Sequence, residues 1–283
     1  TYTFNQATFE ALTGFTEGDL WKFNATITDF AGNSTTGTPS SSTLTVDRVD
    51  PTATLNSATA DNIINISEKT AGFNVNAQAN QNNVTLYVVN VTDNTPTYSN
   101  IATVGFASAI APTAGTPVNI AVSANNANII DSKTYRVFAM DQAGNLSSAS
   151  ATAFTTDLTA PANFTVGTVS VPSGAKAGYY NKADHDADRS VEVVVPVAND
   201  ASLTGGTIQV RAKRGVGGTY ENVGSAHTIT GGNLGNNVTI TLTKAQFEGI
   251  TGLTEGDEVY FTAVITDLAG NSTTGTQNAN TLI

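Results

Sequence analysis

The chain has no cysteine, two histidines, one methionine and one tryptophan, and only 12% of its residues are charged. Without cysteine there is no disulfide, no thiolate zinc site and no cysteine nucleophile. His185 and His227 sit in no recognisable nucleophile arrangement, and no glycine-rich phosphate loop follows a strand and opens a helix, so an enzyme is not expected. Charge at about half the ordinary share leaves Thr, Asn, Ser and Gln to wet the surface. The few charges lean one way: 23 carboxylates against 12 Lys and Arg give a formal −11. That balance disfavours nucleic acid and anionic membrane as partners and favours cations. No apolar run reaches 18 residues and no charged-then-apolar leader is present, so neither a signal peptide nor direct membrane insertion is expected of these residues.

What the sequence does contain is a repeat. Asp-x-Ala-Gly-Asn occurs at 29–33, 141–145 and 267–271, recurring after 112 and then 126 residues. Each copy closes a strand-like alternation. Counting back in twos from the Asp gives Ile27, Ala25 and Phe23, then Ala139, Val137 and Tyr135, then Ile265, Ala263 and Phe261. Gly32, Gly144 and Gly270 supply a bend that needs positive φ, and the Asp at the head of each turn can accept backbone N–H bonds from within it. Alternation points Phe23, Tyr135, Phe261 and Trp21 into a core.

Residues 1–45 can be laid on 239–283 without a gap, with more than half the pairs identical; Thr16-Glu17-Gly18-Asp19 falls on Thr254-Glu255-Gly256-Asp257. Repetition on this scale signals a modular array, and the spacing suits β-sandwiches of about a hundred residues. The expected division is therefore the rear half of a sandwich at 1–47, a whole one at 48–157 and a third at 158–283. On this register Thr1 falls in mid-unit; either the chain continues before it or another chain supplies the missing strands.

Strands are expected at 72–75, 84–89, 118–122, 190–195, 207–212 and 238–242, and no long helix. A short helical turn at 243–246 has capping-box spacing and should bury Phe247 and Ile250; its counterpart, starting at Asn5, should bury Phe9 and Leu12. Between units lies Asp-x-x-x-Pro, at Asp47 to Pro51 and Asp157 to Pro161, which reads as a short, stiff linker.

A strand ending in Asp-x-Ala-Gly-Asn, a final strand and then Asp-x-x-x-Pro resembles the tandem bacterial immunoglobulin-like (Ig-like) domains of large calcium-dependent surface adhesins and related extracellular repeat proteins. The resemblance covers essentially the whole chain. It implies an all-β fold of Ig-like sandwiches joined end to end, outside the bacterial cell, acting as stalk or spacer modules whose partners are neighbouring repeats and whose joints are stiffened by calcium. Carried over by motif, the ligands are Asp29 and Asn33 with Asp47, Asp141 and Asn145 with Asp157, and Asp267 with Asn271. Asp50, a further candidate ligand in the first linker, stands where the other linker has Ala160.

Two carboxylates about 4 Å apart repel by roughly 4 kcal/mol at an effective dielectric near 20, a cost that a hard dication with oxygen ligands removes. The alternative is that each Asp only caps its turn. Asn65 with Glu68, and Asn181 with Asp184, hold similar places after each linker and are further candidate ligands, with solvated loop residues as the alternative. Asp184, Asp186 and Asp188 alternate as in calcium loops, but Val195 stands where the hand-shaped loop needs Glu, so this is not an EF-hand. Two other functions fit the composition: a surface-layer or filament subunit that self-associates by strand donation between chains, and a carbohydrate-binding module, for which clustered exposed aromatics are missing.

Overall fold

The computed structural model describes residues 3–174 and 176–283. Strands dominate, and the longest helix, Ile66–Ala71, has six residues. The chain divides into two compact units, one of residues 1–57, 74–121 and 135–153, the other of 58–73, 122–134 and 154–283.

In the first unit, Ala53–Ser57 pairs antiparallel with Phe73–Ala79, on whose other side lies Val118–Val122. Facing them, Val84–Asn90 is flanked by Gly105–Ala111 and Thr134–Met140. Alternation fills the space between with Leu55, Val75, Ala77, Leu86, Val88, Ile120, Tyr135 and Val137, all buried, each large aliphatic contributing about 1.5–3 kcal/mol by leaving water.

Residues 3–47 of the same unit differ. They form a two-residue ladder between Leu20–Trp21 and Leu44–Thr45, and a hairpin between Thr26–Thr28 and Ser34–Thr36. Only Val46 among them is buried. Trp21, Phe23, Phe9 and Leu12, expected in a core, are half-buried, and Ile27 is 76% exposed. Their counterparts in the third repeat, Val259, Phe261, Phe247, Ile250 and Ile265, are all buried. Alternation decides which face a side chain takes, but among the described residues no second sheet covers this face. Its aromatics cover one another instead: Phe9 lies 5.0 Å from Phe15 and 6.3 Å from Trp21 between ring centroids.

The second unit contains a complete sandwich. One sheet is Val169–Ser170, Val191–Pro196 and Asn237–Leu242; the other centres on Thr207–Arg214 and Val259–Thr266, paired over eight residues, with Ser272–Thr274 outside the latter and Glu221–Asn222 and His227–Thr228 beside the former. Two antiparallel sheets with three strands against a larger set, sequential strands crossing between them, is the Ig-like arrangement. A parallel bridge joins Thr165 to Thr276, and Ile63–Ile64 pairs in parallel with Phe154–Thr156, so an early segment of each repeat runs beside its last strand.

The helix Lys244–Glu248 forms as its sequence predicts, Thr243 and Gln246 closing the capping box and Phe247 and Ile250 buried beneath. The strand expectations also hold in place, some starting a residue later and several running further, to Phe73–Ala79, Val191–Pro196 and Thr207–Arg214.

Candidate functional site: the turns and their linkers

Each Asp-x-Ala-Gly-Asn turn has the same internal wiring. In the third, Asn271 N–H and its side-chain Nδ2 donate to the two oxygens of Asp267 at 2.8 and 3.0 Å, and Gly270 N–H donates to Asp267 C=O. Gly270 sits at φ 94°, Gly144 at 95° and Gly32 at 92°, where an L side chain is strained. The turn at 141–145 repeats these bonds at 2.8 Å, and that at 29–33 at 2.8 and 2.9 Å. Asp141 and Asp267 are buried, whereas Asp29 is exposed. The side-chain bond from Asn33, followed by its backbone N–H, holds the Asp29 carboxyl below the ordinary carboxylate range.

What differs from expectation is which linker each turn meets. Asp47 does not partner the turn before it: Asn145 Nδ2 donates to Asp47 C=O and to its Oδ1, both at 3.2 Å. Likewise Asn271 Nδ2 donates to Asp157 C=O at 2.9 Å. The hydrogen bonds thus join Asn145 with Asp47 and Asn271 with Asp157, and none among the described residues joins Asp29 with Asp47 or Asp141 with Asp157. The reason is the path of the last strand. After each turn it carries the chain away to the other end of the sandwich, at about 3.3 Å per residue, so a turn lies beside the linker that enters its own repeat.

The linker is held from its other side by an acid that sequence reasoning did not single out. Glu17 accepts the Arg48 N–H at 3.0 and 3.1 Å, and Asp131 accepts the Leu158 N–H at 2.6 Å and the Thr159 hydroxyl at 2.8 Å. Burial alone would raise the Asp131 carboxyl, but these bonds and those from Ser132 outweigh it and hold it low. For Glu17 the signal was available, in the Thr-Glu-Gly-Asp that recurs at 254–257. For Asp131, in Asp-Ser-Lys, there was none.

Asn65 and Glu68 prove to be the ends of a capping box on Ile66–Ala71, and Asn181 and Asp184 of another on Lys182–Asp186. In the first, the cap also reaches the third turn. Asn65 Nδ2 donates to Ala269 C=O at 2.8 Å, and Ile66 N–H donates to Asn271 Oδ1 at 3.0 Å. Asp184 is fully buried and paired with Arg189 at 3.2 Å. Asp50 is exposed.

Around the third turn gather Asp157, Asp267, Asp131 and Asp200. Burial first, and then the charges of Asp267, Asp131 and Asp200 against a single opposing bond from Thr159 N–H, raise the Asp157 carboxyl above its ordinary value. This donor set is all oxygen, the chemistry of a hard cation. Among the described residues, however, no three acidic or imidazole side chains converge closely enough to hold an ion as they stand. A group that protonates more easily folded than unfolded contributes most below the ordinary carboxylate range, near pH 4, and that contribution is lost as pH rises through its raised value. With chelator present, Asp157→Asn should therefore raise the melting temperature relative to the native chain at pH 7 and leave it little changed at pH 4. The same offset at both values would show that repulsion at Asp157 is not the cause.

No family model matches the chain, and no curated protein matches it. Solved structures do. The chain is similar to a Ca2+-stabilized adhesin with which an Antarctic bacterium binds ice, at 20% identity and a TM-score of 0.41, covering 92% of this chain and 55% of that one; it thus spans about half the length of that structure. It is similar to part of a 1.5-MDa bacterial ice-binding adhesin, at 18% identity and a TM-score of 0.40, over 91% of this chain and 71% of the other. Domains A168–A170 of titin match at 12% identity and a TM-score of 0.44, over 89% and 70%.

Proposed function

We propose that this chain is a structural stretch of an extracellular bacterial surface protein, a stalk or spacer of Ig-like repeats, divided at about 47 and 157, whose joints are fixed by turn and linker and stiffened by calcium. The observation that carries this reading is the repeated closure of Asn145 on Asp47 and Asn271 on Asp157. A tether pinned by the next repeat's turn on one side and by Glu17 or Asp131 on the other loses the freedom of a flexible linker.

A bound calcium ion would supply positive charge and oxygen coordination among carboxylates that otherwise repel. To hold it, Asp157, Asp267 and Asp131 at the second joint, and Asp47, Asp141 and Glu17 at the first, would have to draw closer than they stand. What these residues do without it is position the linker backbone, through Asn145, Asn271, Glu17 and Asp131. Catalysis has no part in this reading: His185 Nδ1 pairs with Glu248 at 2.6 Å, and the Tyr180 hydroxyl donates to the same carboxylate oxygen at 3.0 Å.

Small-angle scattering of the chain with excess calcium and with chelator tests the proposal. Calcium should lengthen the maximum dimension and narrow its spread, and identical profiles in the two conditions would refute stiffening by the ion.

A second reading, a subunit completed by strand donation from another chain, draws on the open apolar face of residues 3–47, where Ile27 and Leu20 are 76% and 70% exposed. Trp21, the only tryptophan, would report donation as a blue shift in emission with rising protein concentration.

A further inference from the structure

Asp50 is the acid of the linker motifs that the hydrogen bonds leave idle. Asp47, Asp131, Asp141, Asp157 and Asp267 each accept at least one backbone N–H. The Asp50 carboxylate is exposed and has no hydrogen bond or ion pair among the described residues. Its neighbouring cation, Arg48, is engaged by Glu17 at 3.6 Å and by the Phe15 ring at 5.2 Å. Of the chain's eight prolines only Pro51 follows an Asp; the other linker has Ala160 before Pro161.

An aspartyl–prolyl bond carries its own nucleophile beside a good leaving group. The side-chain oxygen can close a small ring on the carbonyl carbon of its own residue, and the proline nitrogen, a tertiary amide without N–H, accepts a proton and departs as a secondary amine more readily than an ordinary amide nitrogen. An Asp held by donors is not free to attack; Asp50 is free. The backbone on either side is anchored, with Gln81 Nε2 donating to Val49 C=O at 3.2 Å and Thr52 N–H to Asn80 Oδ1 at 2.7 Å, and Pro51 is buried. The bond is thus presented at the surface between fixed points, without any need to unfold a strand.

We infer that Asp50–Pro51 is a scission site of the folded chain, cut in mild acid by its own carboxyl group with water as the second reactant. Asp50 Oδ bonds to the Asp50 carbonyl carbon, and the C–N bond breaks. Its electron pair stays on the Pro51 nitrogen, which takes up a proton. Water then opens the cyclic anhydride that remains, leaving a carboxyl group at the end of Asp50 and a free amine on Pro51. Acid acts by supplying the proton that the departing nitrogen takes, and nothing is oxidised or reduced. The cut parts the first repeat from the second within their tether, a property beyond the stiffening proposed above and independent of it.

The full chain is held with chelator at the lowest pH that preserves its near-ultraviolet circular dichroism, well below its melting temperature, and sampled over days by intact-mass spectrometry. Two fragments, 1–50 and 51–283, should accumulate several-fold faster than the products of any other aspartyl bond. Both should vanish in Asp50→Ala, which installs the residue of the other linker, and fall several-fold in Asp50→Glu, which keeps the charge but enlarges the cyclic intermediate. Asp50 has no side-chain bond to lose, so both variants keep the fold, and the same dichroism verifies it. Cleavage at 50 no faster than at Asp157–Leu158, cleavage that begins only once the dichroism is lost, or fragments that form at the native rate in either variant would each overturn the inference.

Discussion

Phe261→Ala should cost the second unit about 3–5 kcal/mol, while Phe23→Ala, at the matching position of the first repeat, should cost less than about 1 kcal/mol. Phe261 is fully buried between the two sheets, its ring 6.4 Å from Phe247 and packed within a cluster that includes Val193, Val210 and Ile240. Truncation there leaves a cavity that the facing strands cannot close. Phe23 carries the same side chain in the same pattern, but it is half-exposed against Phe4 and Phe9, so its loss leaves no void. Urea denaturation followed by circular dichroism measures the first variant, and Trp21 emission reports locally on the second. Equal losses would mean that the face of 3–47 is as well covered in solution as that of 259–266.

Asp184→Ala should be the next most damaging change, at about 2–3 kcal/mol. The carboxylate is fully buried, bonded to Arg189 and to the Asn181 N–H. Its removal strips Arg189 of its charge partner and opens the start of the helix together. Because the Arg189 side chain is 34% exposed it can turn to water, which keeps the loss below that of a wholly enclosed pair. Glu68→Ala, the matching change in the other capping box, should cost only about 1 kcal/mol, since Glu68 is half-buried. Similar midpoint shifts in urea for the two variants would show that capping, not the ion pair, is what Asp184 contributes.

Much of this was legible from the chain itself. The Asp-x-Ala-Gly-Asn turns, the capped helix at Thr243 and the strand alternation are set by interactions spanning a few residues, and each formed where its local pattern placed it. Which linker a turn touches is a different kind of question. It depends on which end of a sandwich the final strand reaches, and adjacency in sequence favours the wrong answer: Asp47 follows the turn at 29–33 but bonds to Asn145. Asn65-x-x-Glu68 and Asn181-x-x-Asp184 carry a helix-start signature that the structure realises as capping boxes, and the same residue types suit a cation or a solvated loop equally in sequence. Parity placed Trp21 and Phe23 in a core, yet they are only half-buried, as Phe261 in the third repeat is not. It carries no information on whether anything lies opposite.

One amide group deserves its consequence. Asn271 donates through Nδ2 to Asp267 and to the Asp157 carbonyl, and accepts through Oδ1 from Ile66. Hydrolysis to aspartate, the common chemical ageing of asparagine, would exchange the donor for a second anion facing Asp267, so that both of its donated bonds become repulsive contacts together. Such a change would loosen the joint at a single amide while leaving the sandwich cores untouched.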